Sequence, residues 1–176
     1  ATAIVDAEGT YSYEQLIDVA KIIASNLLLD HQDLEEARVA FMIPSGFDYV
    51  AIQWGIWMAG GIAVPLCVSH PQPELEYVIE NAEVETLIAH PNYVDMFKGI
   101  AEQRKLGWVQ LDAIFQGEQR ELPQIKADRR AMILYTSGTT GHPKGVVTTH
   151  NIISSQIRCL VHAWEWSADD YILNIL

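Results

Sequence analysis

The chain has 176 residues, 49% of them hydrophobic, which is enough to bury a real core in one or two compact domains. Eleven Lys and Arg against 23 Asp and Glu leave a formal net charge of -12, which argues against nucleic acid or an anionic membrane surface as partner, since both demand clustered cations. The longest apolar stretch, residues 50–59, is interrupted by Gln53 and Gly55 and falls short of the ~20 residues that a transmembrane segment needs.

In chain order, the opening carries no basic segment with an apolar leader, so no signal peptide is expected. Residues 4–6 and 10–12 read as two short strands around Ala7, Glu8 and Gly9, with Gly9 expected at the positive φ of a tight hairpin. Ser12 reads as a helix N-cap with Gln15 completing a capping box, and Leu16, Ala20, Ile23 and Leu27 keep one apolar face. Residues 39–43 form a short apolar strand closed by Pro44, Ser45 and Gly46. The helix that follows, residues 47–58, is apolar nearly all round and stops at Gly60 and Gly61.

Strand and helix then alternate: strand 62–66, helix 73–81, strand 86–89, helix 93–103, strand 108–111. Residues 116–128 are polar, contain Pro123, and read as a connector into a strand at 131–135. Beyond it lie a β-branched strand at 146–149, a helix from 151 to 164, and a strand expected over 171–176. The alternation predicts an α/β fold, a mainly parallel sheet layered between helices. Two distant cysteines, Cys67 and Cys159, suit a reducing compartment and hence the cytoplasm better than a disulfide framework.

Between the strands at 131–135 and 146–149 runs YTSGTTGHPKG, residues 135–145. It is not the Walker form, because Lys144 follows Pro143, precedes Gly145 and leads into a strand; it also lacks G-x-G-x-x-G. The chemistry still suits phosphate. Gly138 and Gly141 let backbone N–H groups converge on an anion, Thr136, Ser137, Thr139 and Thr140 add hydroxyl donors, and Lys144 brings a mobile cation. No acidic side chain occurs from Met132 to Asn151, while His142, Lys144 and His150 fall within that window. A solvated glycine–threonine hairpin is the bland alternative.

Residue for residue, 135–145 resembles the phosphate loop of the adenylate-forming superfamily: acyl-CoA synthetases, firefly luciferase and the adenylation domains of peptide synthetases. His142 stands where that family varies. TYSYEQL, residues 10–16, looks like the family's opening segment, MAGGIAVPL, residues 58–66, looks like its double-glycine strand entry, and His150-Asn151 falls at a position commonly occupied by the same pair. The stretches flanking the loop further resemble acyl-CoA synthetases of the malonyl or methylmalonyl type, with fatty-acid enzymes as near relatives.

The resemblance implies an ATP-dependent acid–thiol ligase. A carboxylate attacks the α-phosphate of ATP, giving acyl-adenylate and pyrophosphate, and the acyl group then passes to coenzyme A. Charge collecting on the departing pyrophosphate is where preorganised donors act, at about 2.7–4 kcal/mol for a donor comparable to those of an oxyanion hole. That work is assigned to Thr136, Ser137, Gly138, Thr139, Thr140, Gly141, His142, Pro143 and Lys144, with Thr139, Thr140 and Lys144 nearest the chemistry and Thr136 as the protein contact of Mg2+. Residues 1–176 are expected to be the N-terminal part of the large AMP-binding domain, with the rest of it and a small C-terminal domain lying beyond Leu176, so this stretch alone should not complete the reaction. A non-catalytic nucleotide-binding module and a peptide-synthetase adenylation domain are the alternatives.

Other features invite duller readings. Trp54 and Trp57 read as core rather than an adenine stack. Cys67 and His70 have C-x-x-H spacing without a second ligand pair, so no zinc site is expected. His150 is open between approaching the nucleotide or acyl site and capping the next helix. Asp169 and Asp170, after Ser167, read as a turn, and Glu80, Glu83 and Glu85 as a solvated face. Replacing Gly138 by Val puts a Cβ where backbone must approach phosphate; nucleotide turnover of the intact protein should be abolished while its far-ultraviolet circular dichroism is kept.

Overall fold

The computed structural model describes residues 1–136 and 142–173. β1 (Thr2–Val5) and β2 (Thr10–Ser12) pair antiparallel. Their turn corrects the expectation for Gly9, which has no positive φ. The Asp6 carboxylate accepts hydrogen bonds from the backbone N–H of Glu8 at 2.9 Å and of Gly9 at 3.1 Å, and the Asp6 N–H donates to the Gly9 carbonyl at 3.0 Å. A side-chain acceptor closes the turn, so no left-handed residue is required. α1 (Tyr13–Leu28) begins at the capping box: the Ser12 hydroxyl accepts from the Gln15 N–H, and the Gln15 side chain accepts from the Ser12 N–H.

Among the described residues, six strands form the main sheet, in the order β6-β5-β3-β4-β7-β8. β3 (Arg38–Met42) lies parallel between β4 (Ile62–Pro65) and β5 (Thr86–Ala89), and β6 (Gly107–Gln110) extends the parallel set beyond β5. β7 (Arg130–Thr136) joins β4 in parallel at Ala63↔Met132, and β8 (Lys144–Thr149) returns antiparallel along β7.

Apart from Arg38 and Thr86 at their starts, β3, β4 and β5 are apolar; such strands require cover on both faces, and the side-chain alternation divides them cleanly. Val39, Phe41, Ala63 and Ile88 pack with α1 and α2 (Phe47–Met58). Ala40, Met42, Ile62, Val64, Leu87 and Ala89 pack with α3 (Gln72–Asn81) and α4 (Val94–Arg104) on the opposite face. Each fully buried Leu, Ile or Phe contributes about 1.5–3 kcal/mol, which makes these two apolar layers the main source of cohesion.

A 3-10 turn (Pro91–Tyr93) precedes α4, so that helix starts one residue later than expected. β6 ends at Gln110, and Leu111 turns instead into α5 (Leu111–Ile114), burying Leu111 and Ile114 against α1's layer. α6 (His150–Ala163) buries none of its residues and leaves Ile152, Ile157 and Val161 exposed. The strand expected over 171–176 is not formed at Tyr171–Leu173; residues 174–176 lie outside the described residues. Aromatic and β-branched side chains favour a strand only where a neighbour offers a ladder, and 171–173 have none among the described residues. Asp169 and Asp170 do form the anticipated turn, with the Ser167 N–H donating to Asp170 at 2.6 Å. Among the described residues no helix is long and apolar enough to cross a membrane.

α1 and α2 meet closely at Gly55, where an added Cβ would lie 2.4 Å from Cγ2 of Ile23 and 3.1 Å from the Ala20 carbonyl oxygen. Alanine in mid-helix is ordinarily better than glycine by about 0.5–1 kcal/mol, but overpacking costs about 1–3 kcal/mol. Overpacking wins here because the obstacles are a β-branched side chain and backbone. Gly55→Ala should therefore lower the urea midpoint of unfolding with an unchanged slope, whereas ordinary helix propensity would raise it.

Candidate functional site

Parallel strands send their carboxyl ends to one edge, where the segments following β3, β4, β5 and β7 gather, and such edges are where open α/β sheets bind ligands. The loop singled out in the sequence leaves this edge from β7. Its stems are a register pair, Thr136 opposite Lys144, both side chains exposed. Ser137, Gly138, Thr139, Thr140 and Gly141 lie outside the described residues. Tyr135 faces Gly145 across the hairpin. A Cβ on Gly145 would come within 3.0 Å of the Tyr135 ring carbon Cζ, so only glycine lets the ring lie over that strand. The Tyr135 hydroxyl donates to Oδ1 of Asn81 at 2.7 Å, and burial, reinforced by neighbouring Tyr77, holds its pKa above the ordinary tyrosine value.

On the returning arm, the His142 ring stacks on Tyr77 of α3, with centroids 4.6 Å apart and planes at 19°. Pro143 follows half-buried and leads to Lys144. Thr136, His142, Pro143 and Lys144 are thus brought together. Beside them, a cavity of about 200 Å³ runs between α3's end and the hairpin, lined by Arg38, Asn81, Arg130, Tyr135 and Gly145 among others.

His150 is not brought there. It opens α6 after Thr149, which pairs with Arg130 at the opposite end of the hairpin, roughly 17 Å along β8 from Lys144 at ~3.4 Å per residue. Its ring packs edge-on against Trp57 with centroids 5.8 Å apart, and the His150 backbone N–H donates to the Arg129 carbonyl. The capping role falls to Thr149, whose hydroxyl accepts from the Ile152 N–H, and His150 is the first helical residue. Burial first and nearby Arg129 second lower its pKa, against a smaller opposing pull from Glu36.

Sequence reasoning did not identify the supports of β7. The Arg129 guanidinium grips Asp33 through both carboxylate oxygens, at 2.6 and 3.0 Å, and donates to the Gly60 carbonyl at 2.7 Å. Arg130 pairs with Glu36 at 2.6 Å. The Trp57 indole N–H donates to the Ala131 carbonyl at 2.7 Å, so Trp57 is structural, as expected, with a polar task added. A second feature escaped notice, a crevice of about 540 Å³ between the ends of β3 and β5, lined by Asp6, Tyr11, Gly46, Asp48 and His90. Asp6 there accepts from the Phe47 N–H at 2.9 Å, which holds its carboxyl below the usual range, while burial raises Asp48. These residues are remote in sequence, and no spacing rule joins them. Glu80, Glu83 and Glu85, read as a solvated face, are exposed but meet Arg104 and Arg38.

For a nucleotide, the described stems fit: an exposed lysine faces an exposed threonine, on a hairpin whose Gly145 admits close cover by an aromatic ring. Among the described residues no group of three His, Cys, Asp or Glu side chains gathers to hold a metal ion. A nucleotide-bound Mg2+ needs few protein ligands, because phosphate oxygens and waters fill most of its octahedron.

The AMP-binding enzyme family matches the chain over residues 1–176. The chain belongs to that family. Among its relatives, the mitochondrial malonate–CoA ligase of Xenopus laevis is 37% identical over 189 residues, covering 99% of this chain and 32% of that protein. The mitochondrial malonate–CoA ligase of Homo sapiens is 37% identical over 187 residues, again covering 99% and 32%. The chain therefore spans about a third of the length of the curated relatives it matches. Among solved structures, ATP-bound MatB from Rhodopseudomonas palustris superposes with a TM-score of 0.86 at 29% identity, covering 96% of this chain and 36% of that one. The layered, mainly parallel α/β fold expected from the sequence is the one this family member shares.

The seat of His150 sets a pH dependence. Its folded pKa lies below its unfolded value of about 6.5, so between the two the unfolded chain binds more protons and stability rises with pH. The contribution is complete above that window and is lost as pH falls through it. In melts between pH 7.5 and 5, replacing His150 by Gln should flatten the acid-side fall of the midpoint; an unchanged slope would contradict the burial assigned to the ring.

Proposed function

We propose that the intact protein is an ATP-dependent acid–thiol ligase that activates a small dicarboxylic acid of the malonate type and transfers it to coenzyme A. The observation that carries this reading is the match with malonate–CoA ligases along 99% of the chain, in a sequence that also holds the whole phosphate loop. Membership of the AMP-binding family and an ATP-bound structural neighbour support the nucleotide.

In the proposed reaction a carboxylate oxygen attacks the α-phosphorus of ATP, the bond to the bridging oxygen breaks, and pyrophosphate leaves with the electron pair. The thiol of coenzyme A then attacks the acyl carbonyl, releasing AMP. Thr136, Ser137, Thr139 and Thr140 would donate hydroxyl hydrogen bonds to the β and γ phosphates, Gly138 and Gly141 would present backbone N–H groups, and Lys144 would place its ammonium against the growing negative charge. Mg2+ bound with the nucleotide would neutralise phosphate charge, with Thr136 as its protein contact. The free, exposed Cys67 and Cys159 fit a reducing compartment, either the cytoplasm expected from the sequence or the organelle for which the two vertebrate relatives are named.

Exchange of labelled pyrophosphate into ATP by the full-length protein tests the reading. With acetate, palmitate, malonate, methylmalonate and a set of amino acids offered singly, exchange should be fastest with malonate or methylmalonate. Exchange driven by an amino acid would move the protein to the peptide-synthetase class, and none with any acid from well-folded protein would leave only nucleotide binding.

A further inference from the structure

Tyr77 and Asn81 are four residues apart on α3 and so share a face of that helix. Each grips a different arm of the hairpin that carries the loop. Asn81 accepts the Tyr135 hydroxyl at 2.7 Å on the outgoing arm, one residue before Thr136. Tyr77 stacks on His142 at 4.6 Å on the returning arm, two residues before Lys144. The outgoing grip is itself held in place, because the absent Cβ at Gly145 is what allows the Tyr135 ring to lie across β8 and reach α3. Core packing accounts only for part of this arrangement: Tyr77 is half-buried against the second apolar layer, but Asn81 and His142 are exposed and add nothing to that layer.

We propose that Tyr77 and Asn81 are positioning residues for the phosphate loop. One rigid helix holds both stems and so fixes the separation of Thr136 and Lys144 before the nucleotide arrives. Rings stacked in this way, with centroids between 4.5 and 7 Å, have a preferred offset geometry and resist sliding. Stems held in advance lose less freedom when ATP binds, so the effect belongs to ATP affinity rather than to the carboxylic acid. The inference rests on reading residues 135–145 as a phosphate loop, as in the proposed ligase.

The test uses the full-length protein in pyrophosphate exchange with the best acid, comparing Tyr77→Ala, Tyr77→Phe, His142→Ala and the double variant Tyr77→Ala/His142→Ala. Loss of the stack should raise the KM for ATP by about 3- to 10-fold and leave the KM for the acid within about twofold of wild type. Tyr77→Phe, which keeps the ring, should restore the ATP value, and the double variant should be no worse than the poorer single one. If Tyr77→Ala lowers the maximal rate with the KM for ATP unmoved, or if the two single effects add in full, the proposal is overturned. A wild-type protein that exchanges nothing would sink the ligase reading instead. The stack can then be read without activity: the His142 ring protons should be shifted upfield by the Tyr77 ring current in the proton spectrum and lose that shift in Tyr77→Ala, and identical shifts in the two proteins would refute the positioning contact.

Discussion

Arg129 ties together three parts of the chain that the sequence keeps far apart: the segment after α1 through Asp33, the turn after α2 through the Gly60 carbonyl, and β7 through its own backbone. At that end β7 is otherwise held by its ladder with β8, where Arg130 pairs with Thr149. Its parallel pairing with β4 is a single register pair, Ala63↔Met132, whereas β3 is paired at four positions with each neighbour. The strand that delivers the loop is therefore seated from the side, by the Arg129 clasp, the Arg130–Glu36 pair and the Trp57 indole. The guanidinium is suited to this because its planar fork meets a carboxylate with two parallel hydrogen bonds and still has a donor for a carbonyl. Moving β7 by one residue would turn Ile133 out of its apolar layer and the Tyr135 ring away from Asn81, since successive strand side chains point to opposite faces.

What was legible in the sequence is what local chemistry dictates. Ser12 and Gln15 announce the start of α1 because their reciprocal hydrogen bonds satisfy N–H groups that any helix leaves open. The uninterrupted apolar strands announce a parallel sheet because only a sheet covered on both faces tolerates them. Gly9 was misread because glycine in a turn suggests a left-handed residue, while the acceptor that closes the turn, Asp6, lies three positions earlier and looks like any other acid. The strand expected at Tyr171–Leu173 is not formed for the complementary reason: propensity is local, but a ladder partner is not.

The candidate site divides along the same line. Its donor chemistry is a contiguous string, readable without coordinates. Its supports are contacts over long sequence separations, Tyr77 with His142, Asn81 with Tyr135, Asp33 with Arg129, and no periodicity links their members. His150 shows how misleading nearness in sequence can be. It follows the loop by a few residues, yet an antiparallel strand carries it to the other end of the hairpin and packs it on Trp57.

The net charge of -12 means that the nucleotide of the proposed reaction would meet an opposing field. At physiological ionic strength exposed charges are screened over about 8 Å, so what matters is the charge near the loop rather than the total. The helix that holds the stems is itself acidic, with Glu74, Glu76 and Glu80. Each of these carboxylates is engaged: Glu80 with Arg104 at 3.1 Å, Glu76 with the Gln72 amide at 2.7 Å, and Glu74 near His70 at 3.6 Å. Tyr77 and Asn81, the α3 residues that meet the hairpin, are neutral, and the hairpin adds no acid of its own from Met132 to Asn151. Lys144 stands exposed, with Tyr77 and Asn81 as the neutral contacts of the adjoining helix. A single ammonium, with no carboxylate on its own hairpin, is the cation that the proposed ligase would set against the phosphates.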